Sequence, residues 1–329
     1  MWGQGSCYIN AALQVLFSSP RVQQCLAQIL SECRFRVDAW RFLTAAGIQE
    51  IREAAQSRRT AGAWNDTTLA LTLAAAMQGS SSDGRSIRGR PLFPSLFLRE
   101  CYTGPQEDSM DFMMVCLGSC PVVRQLHFTG LFHPAVLRCA GCGNQQPSGG
   151  HEDECIFISL QVESHCKDTG EPYHTVQNAL LASSTETLDD KFRARCPNCD
   201  RRWTHKIQNV KTPPATLLIR IKQWTNSMGD DGRVATLRRA SPMRLDETVV
   251  VEAITYALRG VVFHSGPSPA SGHYVAVVRH GPDAEPYLLY NDARRQAVPR
   301  AALLCDAQLP GPFGPEPFSA TGLLYERAG

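Results

Sequence analysis

Two short cysteine pairs, Cys139-x-x-Cys142 in "RCAGCGN" and Cys196-x-x-Cys199 in "RCPNCDR", constrain what this chain can fold into more than any other feature. Each pair puts two sulfurs on one tight turn, with Ala-Gly or Pro-Asn between them. Four thiolates presented in this way suit a tetrahedral Zn2+ with no open position, a structural site. Residues 143 to 195 separate the pairs, 53 positions, far beyond the spacing of a short ribbon. That stretch holds the strand-like run "CIFISLQV" and a helical segment. The two turns are therefore expected at the tips of long hairpins that bring distant parts of the chain together. Coincidental pairs are the alternative, and two matching knuckles favour the metal. His151, Cys155, Cys166 and His205 are further ligand types in the region, read as loop or core residues. The chain has 13 cysteines. An odd number in a long chain argues against a secreted disulfide scaffold and for reduced thiols, hence for a cytoplasmic or nuclear setting.

The texture of the sequence changes near residue 130. Up to about Leu126 it is helix-like, with Ala/Leu/Gln-rich stretches such as "CLAQIL" and "LALTLAAAM" broken by "GSSSDGRSIRGR". From Leu131 onward short runs rich in β-branched and aromatic residues take over: "ATLLIRIK", "ETVVVE", "YALRGVVF", "HYVAVVR" and "PYLLY". Loops such as "NQQPSGG", "NSMGDDGR" and "HSGPSPASG" are expected between them. A helical lobe followed by a strand-rich lobe predicts an α+β architecture with a cleft between lobes. The 33 basic and 31 acidic residues nearly cancel, too balanced for a polyanion partner of the whole molecule. No apolar run approaches the roughly 18 residues of a membrane span. Met1 is followed almost at once by polar residues and Cys7, so no signal peptide is expected.

"GSCYINAALQVLFSSP" places Cys7 directly before a helical stripe of Ile9, Ala12, Leu13, Leu16 and Phe17, which Pro20 ends. With Ser6 as N-cap, Cys7 falls in the first turn, where unpaired N–H groups and the helix dipole favour a thiolate. A buried, inert thiol is the commoner fate of a free cysteine, so the segment needs a base elsewhere. "HSGPSPASGHYVAVVRH" offers His273 at a strand start beside a flexible loop; His264 and His280 lie at the other loop ends and are weaker candidates. "PYLLYNDA" ends in Asn291-Asp292, either of which can accept from an imidazole. Cysteine, histidine and a third polar group are the minimum set for thiol catalysis. In "GPQEDSMDFMMVCL", Met110, Met113, Met114 and Leu117 form another helical stripe headed by Glu107 and Asp108, where carboxylates cap a helix. Between Lys191 and Lys211 seven Lys/Arg residues face one acid, Asp200, with only Phe192 and Trp203 as aromatic partners. Such a run is more often a solvated face than a nucleic-acid site.

The ordered segments "GSCYINAALQVLFSSP", "GPQEDSMDFMMVCL", "LLIRIKQW", "YALRGVVFHSGPSPASGHYVAVVR…YLLYNDARRQAV" and "GLLYER" resemble, over nearly the whole chain, the boxes of the ubiquitin-specific protease family. The resemblance implies a papain-like α+β catalytic domain: a helical thumb over about 1–130, zinc-ribbon fingers over about 131–225 and a β-rich palm over about 226–329. It implies that Cys7 is the nucleophile, His273 the base and Asn291 the orienting group, with Asp292 able to share that role. Asp108, Asp111 and Tyr274 would contact the Arg-containing C-terminal tail of ubiquitin, and Cys139, Cys142, Cys196 and Cys199 would hold a structural zinc in fingers that cradle ubiquitin's body. One departure concerns the oxyanion. The family's Asn five residues before the nucleophile is Trp2 here, and Gln4 is the nearby donor. A lost oxyanion donor costs about 3 kcal/mol. The implied function is a thiol-dependent deubiquitinase acting on ubiquitin or a ubiquitin-like modifier, cytoplasmic or nuclear, with no membrane partner. An inactive ubiquitin-binding adaptor of the same fold and a basic zinc module for nucleic acid are the alternatives.

Overall fold

The computed structural model describes residues 7–25, 108–118, 123–148, 152–161, 175–188, 192–228, 234–238, 243–279, 286–291, 294–306, 308–309 and 318–328. In chain order the elements begin with helices α1 (Cys7–Phe17) and α2 (Ser109–Gly118) and a π-helical turn, Arg124–Phe128. Strands β1 (Gly130–Phe132), β2 (Val136–Arg138), β3 (Gln145–Pro147), β4 (Asp153–Cys155) and β5 (Phe157–Gln161) follow, then helix α3 (Val176–Ser183). Next come β6 (Thr185–Thr187), β7 (His205–Ile207), β8 (Val210–Thr212), β9 (Thr216–Lys222), β10 (Trp224–Met228) and β11 (Val234–Arg238). The last part holds β12 (Thr248–Val251), β13 (Ile254–Ser268), β14 (Ser271–Val278), β15 (Tyr287–Asn291), β16 (Arg294–Val298), α4 (Arg300–Asp306), β17 (Gln308–Leu309) and β18 (Phe318–Arg327). Most of the expected thumb helices, including "LALTLAAAM", lie outside the described residues. No helix among the described residues is long and apolar enough to cross a membrane.

Among these elements the organising one is a nine-stranded sheet ordered β16-β15-β14-β13-β18-β9-β5, with β12 also paired to β13 and β17 to β18. Among the described strands only β5 and β9 pair in parallel. Its strands alternate between two apolar faces, as the two-residue period of a strand requires when both sides are covered. Tyr274, Ala276, Val278, Val262, Leu218 and Leu324 join the core formed with α1 and α2. Val275, Val277, Val261, Phe263, Ile219 and Leu323 join a second core with Val176 and Leu180 of α3 and Leu303 of α4. The central strands β9, β14 and β18 read as continuous apolar runs because neither face meets water, whereas the edge strand β16 is exposed.

Helix α1 is buried far beyond the expected stripe. Ala12, Leu13, Leu16 and Phe17 are inside, and so are Tyr8, Ala11 and Val15 from other sides of the helix. The reason is that α2 and the sheet press on it from different directions. Pro20 does more than end the pattern: residues 20–25 begin another helical stretch. Ser19 Oγ accepts from Val22 N at 3.2 Å, and proline occupies the first helical position, where its missing N–H costs nothing. Helix α2 reaches the sheet at Gly322, where an added Cβ would lie 2.3 Å from Met110 Sδ.

Two smaller sheets, β3-β2-β7-β6 and β4-β1-β8, and the β10–β11 ribbon complete the described chain. Three segments expected to be loops are more ordered than that. "NQQPSGG" contains β3, "NSM" ends β10, and "HSGPSPASG" is the tip of the β13–β14 hairpin, with Ser268 opposite Ser271. Gly266 and Gly272, at φ +146° and +130°, let the two strands bulge and close there. His264 is likewise no loop residue. It lies inside β13, fully buried, opposite Tyr274 and Ser319.

Candidate functional site

The N-terminal end of α1 lies against β14 through its second residue. The Tyr8 ring meets Phe112 of α2 edge-on at 5.9 Å and Tyr274 of β14 at 6.5 Å. Cys7 directly precedes Tyr8, and His273 directly precedes Tyr274. The aromatic contact thus brings the two chain segments that carry the expected thiol and imidazole side by side. Cys7 is buried at the first position of the helix, which points the dipole's positive end at the sulfur. Tyr274 donates from its hydroxyl to Pro269 O at 3.3 Å. Burial, followed by the negative charges of Asp108 and Cys7, pushes its phenol well above the usual range.

His273 is half-buried, and its Nε2 lies 2.8 Å from Asn291 Oδ1 at the end of β15. An amide oxygen can only accept, so Nε2 carries the proton and Nδ1 is the ring's basic nitrogen. Antiparallel pairing of β14 with β15, Ala276 opposite Tyr290, brings the two residues together. The Phe318 ring stands edge-on to the imidazole at 6.2 Å. Beneath the same hairpin, the buried His264 ring sits between Tyr274 at 4.3 Å and Trp224 at 5.0 Å. Burial, then the charges of Arg238 and His273, lowers its pKa to about 3. This imidazole is neutral at any physiological pH.

Asp108 and Asp111, at the start of α2, are joined by a residue that sequence reasoning missed. Arg220 of β9 donates to Asp108 Oδ2 at 2.9 Å and to Asp111 at 2.7 and 3.4 Å. Asp108 also caps α2, its Oδ1 accepting from Met110 N at 2.7 Å. Burial raises the Asp108 carboxyl, against the opposing pull of Arg220. The signal for Arg220 was available in the sequence. A single arginine inside the apolar run "TLLIRIK" needs a carboxylate partner once that run is a buried strand.

The four knuckle cysteines come together. Their ligand atoms all lie within 4.8 Å of one another, with Cys139 Sγ 3.5 Å from Cys199 Sγ and Cys142 Sγ 3.6 Å from Cys196 Sγ. Tetrahedral Zn–S bonds of about 2.3 Å put sulfurs about 3.8 Å apart, so this donor set fits a metal ion. Each knuckle is the tip of a hairpin, as expected: Cys139 N donates to Asn144 O at 3.0 Å and Cys196 N to Arg201 O at 2.7 Å. Gly143 and Asp200 take the left-handed conformations that close the turns. Cys142 is pushed down to about 6, chiefly by the Asn198 side chain and the Asn144 backbone N–H. For Cys199, the Arg201 N–H pulls downward, but burial and the neighbouring thiols outweigh it and push the group up to about 12. Trp203 and Phe192 pack under the cluster with Leu137 and Leu188. The neighbouring arginines 193, 195, 201 and 202 are exposed.

His205 lies in β7, its Nδ1 2.9 Å from Thr204 Oγ1, outside the four-cysteine set. Trp2, Gln4, Ser6, Glu107, His151, Cys166, His280 and Asp292 lie outside the described residues, as does the Cys155 side chain.

A layered sheet carrying a cysteine-headed helix, a histidine–asparagine pair and a four-cysteine finger is one class of fold, and the comparisons give its family. The chain belongs to the family described as ubiquitin carboxyl-terminal hydrolase, whose model matches residues 4–309. Ubiquitin carboxyl-terminal hydrolase 25 of Arabidopsis thaliana is 24% identical over 303 residues, covering 83% of this chain and 41% of that protein. Ubiquitin carboxyl-terminal hydrolase 4 of the same plant is 28% identical over 193 residues, covering 56% of this chain and 48% of that protein. The chain thus spans less than half the length of these two relatives. Among solved structures, the SAGA DUB module of Ubp8, Sgf11, Sus1 and Sgf73 bound to monoubiquitin matches with a TM-score of 0.67 at 17% identity, covering 99% of this chain and 68% of that one. The same module bound to ubiquitin aldehyde matches with a TM-score of 0.61 at 16% identity, covering 100% and 69%. At this identity the likeness establishes the fold, the mixed α and β architecture with a four-cysteine finger that the sequence led one to expect.

Proposed function

We propose that this chain is a cysteine-type deubiquitinase that hydrolyses the peptide or isopeptide bond after the C-terminal glycine of ubiquitin. The observation that carries the reading is the 2.8 Å contact between His273 Nε2 and Asn291 Oδ1, on a hairpin against which the Cys7 helix packs through Tyr8 and Tyr274. Asn291 holds the imidazole in the tautomer whose Nδ1 accepts the Cys7 proton. The thiolate attacks the carbonyl carbon, and the C–N bond breaks as His273 returns the proton to the leaving lysine amine. His273 then takes a proton from water, which attacks the thioester and releases ubiquitin's carboxylate and the thiol. Gln4 is the proposed oxyanion donor, and Asp292 the proposed second partner of the histidine.

The relatives' family and the ubiquitin-bound structural neighbours support ubiquitin as the partner. We assign Zn2+ to Cys139, Cys142, Cys196 and Cys199, where four thiolates would give it a closed, structural shell. The proposed division is a thumb up to about residue 130, fingers to about 225 and a palm to 329, all in one catalytic domain. Burial of Trp203 beneath the cysteines removes an aromatic platform from the basic finger and weakens a nucleic-acid reading. The reduced thiols fit a cytoplasmic or nuclear location. Hydrolysis of a ubiquitin C-terminal fluorogenic amide tests the function: wild-type protein turns it over and Cys7→Ala does not. An adaptor that binds ubiquitin without turnover is the second reading, favoured by Trp2 in the family's oxyanion position; tight binding with no hydrolysis by wild type would select it.

A further inference from the structure

Arg220 fills, from within the chain, the two carboxylates at the start of α2, the helix whose Phe112 packs on Tyr8 next to the candidate nucleophile. Alternation along β9 places Leu218 and Arg220 on the sheet face covered by α1 and α2. Arg220 lies directly opposite Gly322 of β18, and Gly322 is where Met110 of α2 rests. The missing side chain at Gly322 lets the start of α2 come down onto the sheet beside Arg220. The guanidinium then spans both acids, one hydrogen bond to Asp108 at 2.9 Å and two to Asp111. Asp108 is nearly inaccessible, its side chain 8% exposed, whereas Asp111 is 55% and Arg220 26% exposed. The cluster and the thiol share one neighbour. Tyr274, which packs on Tyr8, feels the charges of Asp108, Asp111, Arg220 and Cys7 together.

Two carboxylates beside a thiol that works on an extended peptide would select a cation in that peptide through charge-assisted hydrogen bonds. Here one guanidinium offsets half of their charge, and the oxygens that would receive the cation are engaged. We propose that Arg220 is a specificity-determining residue that takes the place of a substrate cation, so that the site accepts a C-terminal tail without rewarding its arginines. A tail arginine gains contact with Asp108 only by displacing Arg220 from three hydrogen bonds, and the exchange is close to even. The resting site is thereby suited to modifiers whose tails are neutral at the positions facing α2. This inference rests on the deubiquitinase reading.

The test compares two substrates, ubiquitin with its tail arginines intact and ubiquitin with them replaced by leucine, each as a C-terminal fluorogenic amide. Wild type is expected to show kcat/KM values within about threefold of each other, while Arg220→Gln, which keeps an amide donor for Asp108 but removes the charge, prefers the arginine tail by about tenfold or more. Arg220→Lys keeps a cation and is expected to discriminate as wild type does. The same ratios are measured as affinities in the Cys7→Ala background, which needs no turnover, and melting curves confirm that each variant is folded. A wild-type preference of tenfold for arginine, or an unchanged ratio in Arg220→Gln, overturns the proposal. Binding without hydrolysis would refute the enzyme reading and leave the affinity ratio to decide the role of Arg220. Failure of every form to bind either ubiquitin would overturn both.

Discussion

The buried imidazole of His264 sets how this fold responds to acid. In the unfolded chain the group titrates near 6.5, and in the folded protein burial and the charges of Arg238 and His273 lower it to about 3. A depressed histidine pKa means that the unfolded state takes up the proton first as pH falls. The stabilising effect of the neutral ring is full above about pH 6.5 and is lost progressively below it, toward pH 3. For these two pKa values the loss at pH 5 is about 2 kcal/mol relative to pH 7, a large share of the 5–15 kcal/mol that holds a typical domain together. Replacing the ring by phenylalanine in His264→Phe imposes a packing cost against Gly266 and Gly272, whose added Cβ atoms would lie within 3.0 Å of the imidazole. That cost is the same at both pH values and cancels. Urea unfolding of both proteins at pH 7 and pH 5 is the assay. Wild type should lose about 2 kcal/mol more than the variant between the two pH values. Equal losses would refute the argument that His264 is held neutral inside the fold.

Other consequences follow from packing and ligation. Gly322→Val should destabilise by about 1–3 kcal/mol, read by thermal unfolding, because the new side chain would meet Met110 of α2. Cys139→Ser and Cys196→Ser should each lower bound zinc, measured by elemental analysis of purified protein, from one atom per chain to a fraction of that. A strong chelator should reproduce the effect in wild type and loosen the finger sheets in hydrogen exchange. Asn291→Ala should lower kcat by about 10–100-fold with KM little altered, since it removes the group that fixes the imidazole tautomer and not a substrate contact.

Local chemistry made part of this molecule readable in advance. The two cysteine turns were legible because an i, i+3 thiol pair on a Gly- or Asn-containing turn has few uses besides a metal, and their 53-residue separation forced the hairpins that are found. Helix α1 and the β14 strand were legible from their periods. Contacts made across the fold were less so. Periodicity shows one stripe on α1, but α2 and the sheet bury Tyr8, Ala11 and Val15 as well. His264 reads as a loop histidine because Gly, Pro and Ser follow it. Only the pairing of β13 with both β14 and β18 draws it inside. Glu107 and Asp108 read as a helix cap, and the family resemblance gives Asp108 and Asp111 a substrate cation; only the approach of α2 to β9 reveals that Arg220 already sits between the two aspartates.

The proposed chemistry requires the Cys7 sulfur to meet the His273 imidazole. The most direct measurement is reaction of the purified protein with a ubiquitin carrying a C-terminal thiol-reactive electrophile, followed by intact mass and peptide mapping. One ubiquitin should add per chain, on Cys7 alone, with the adduct absent from Cys7→Ala and strongly slowed in His273→Ala. Modification of another cysteine, or equal labelling of the Cys7→Ala protein, would contradict it.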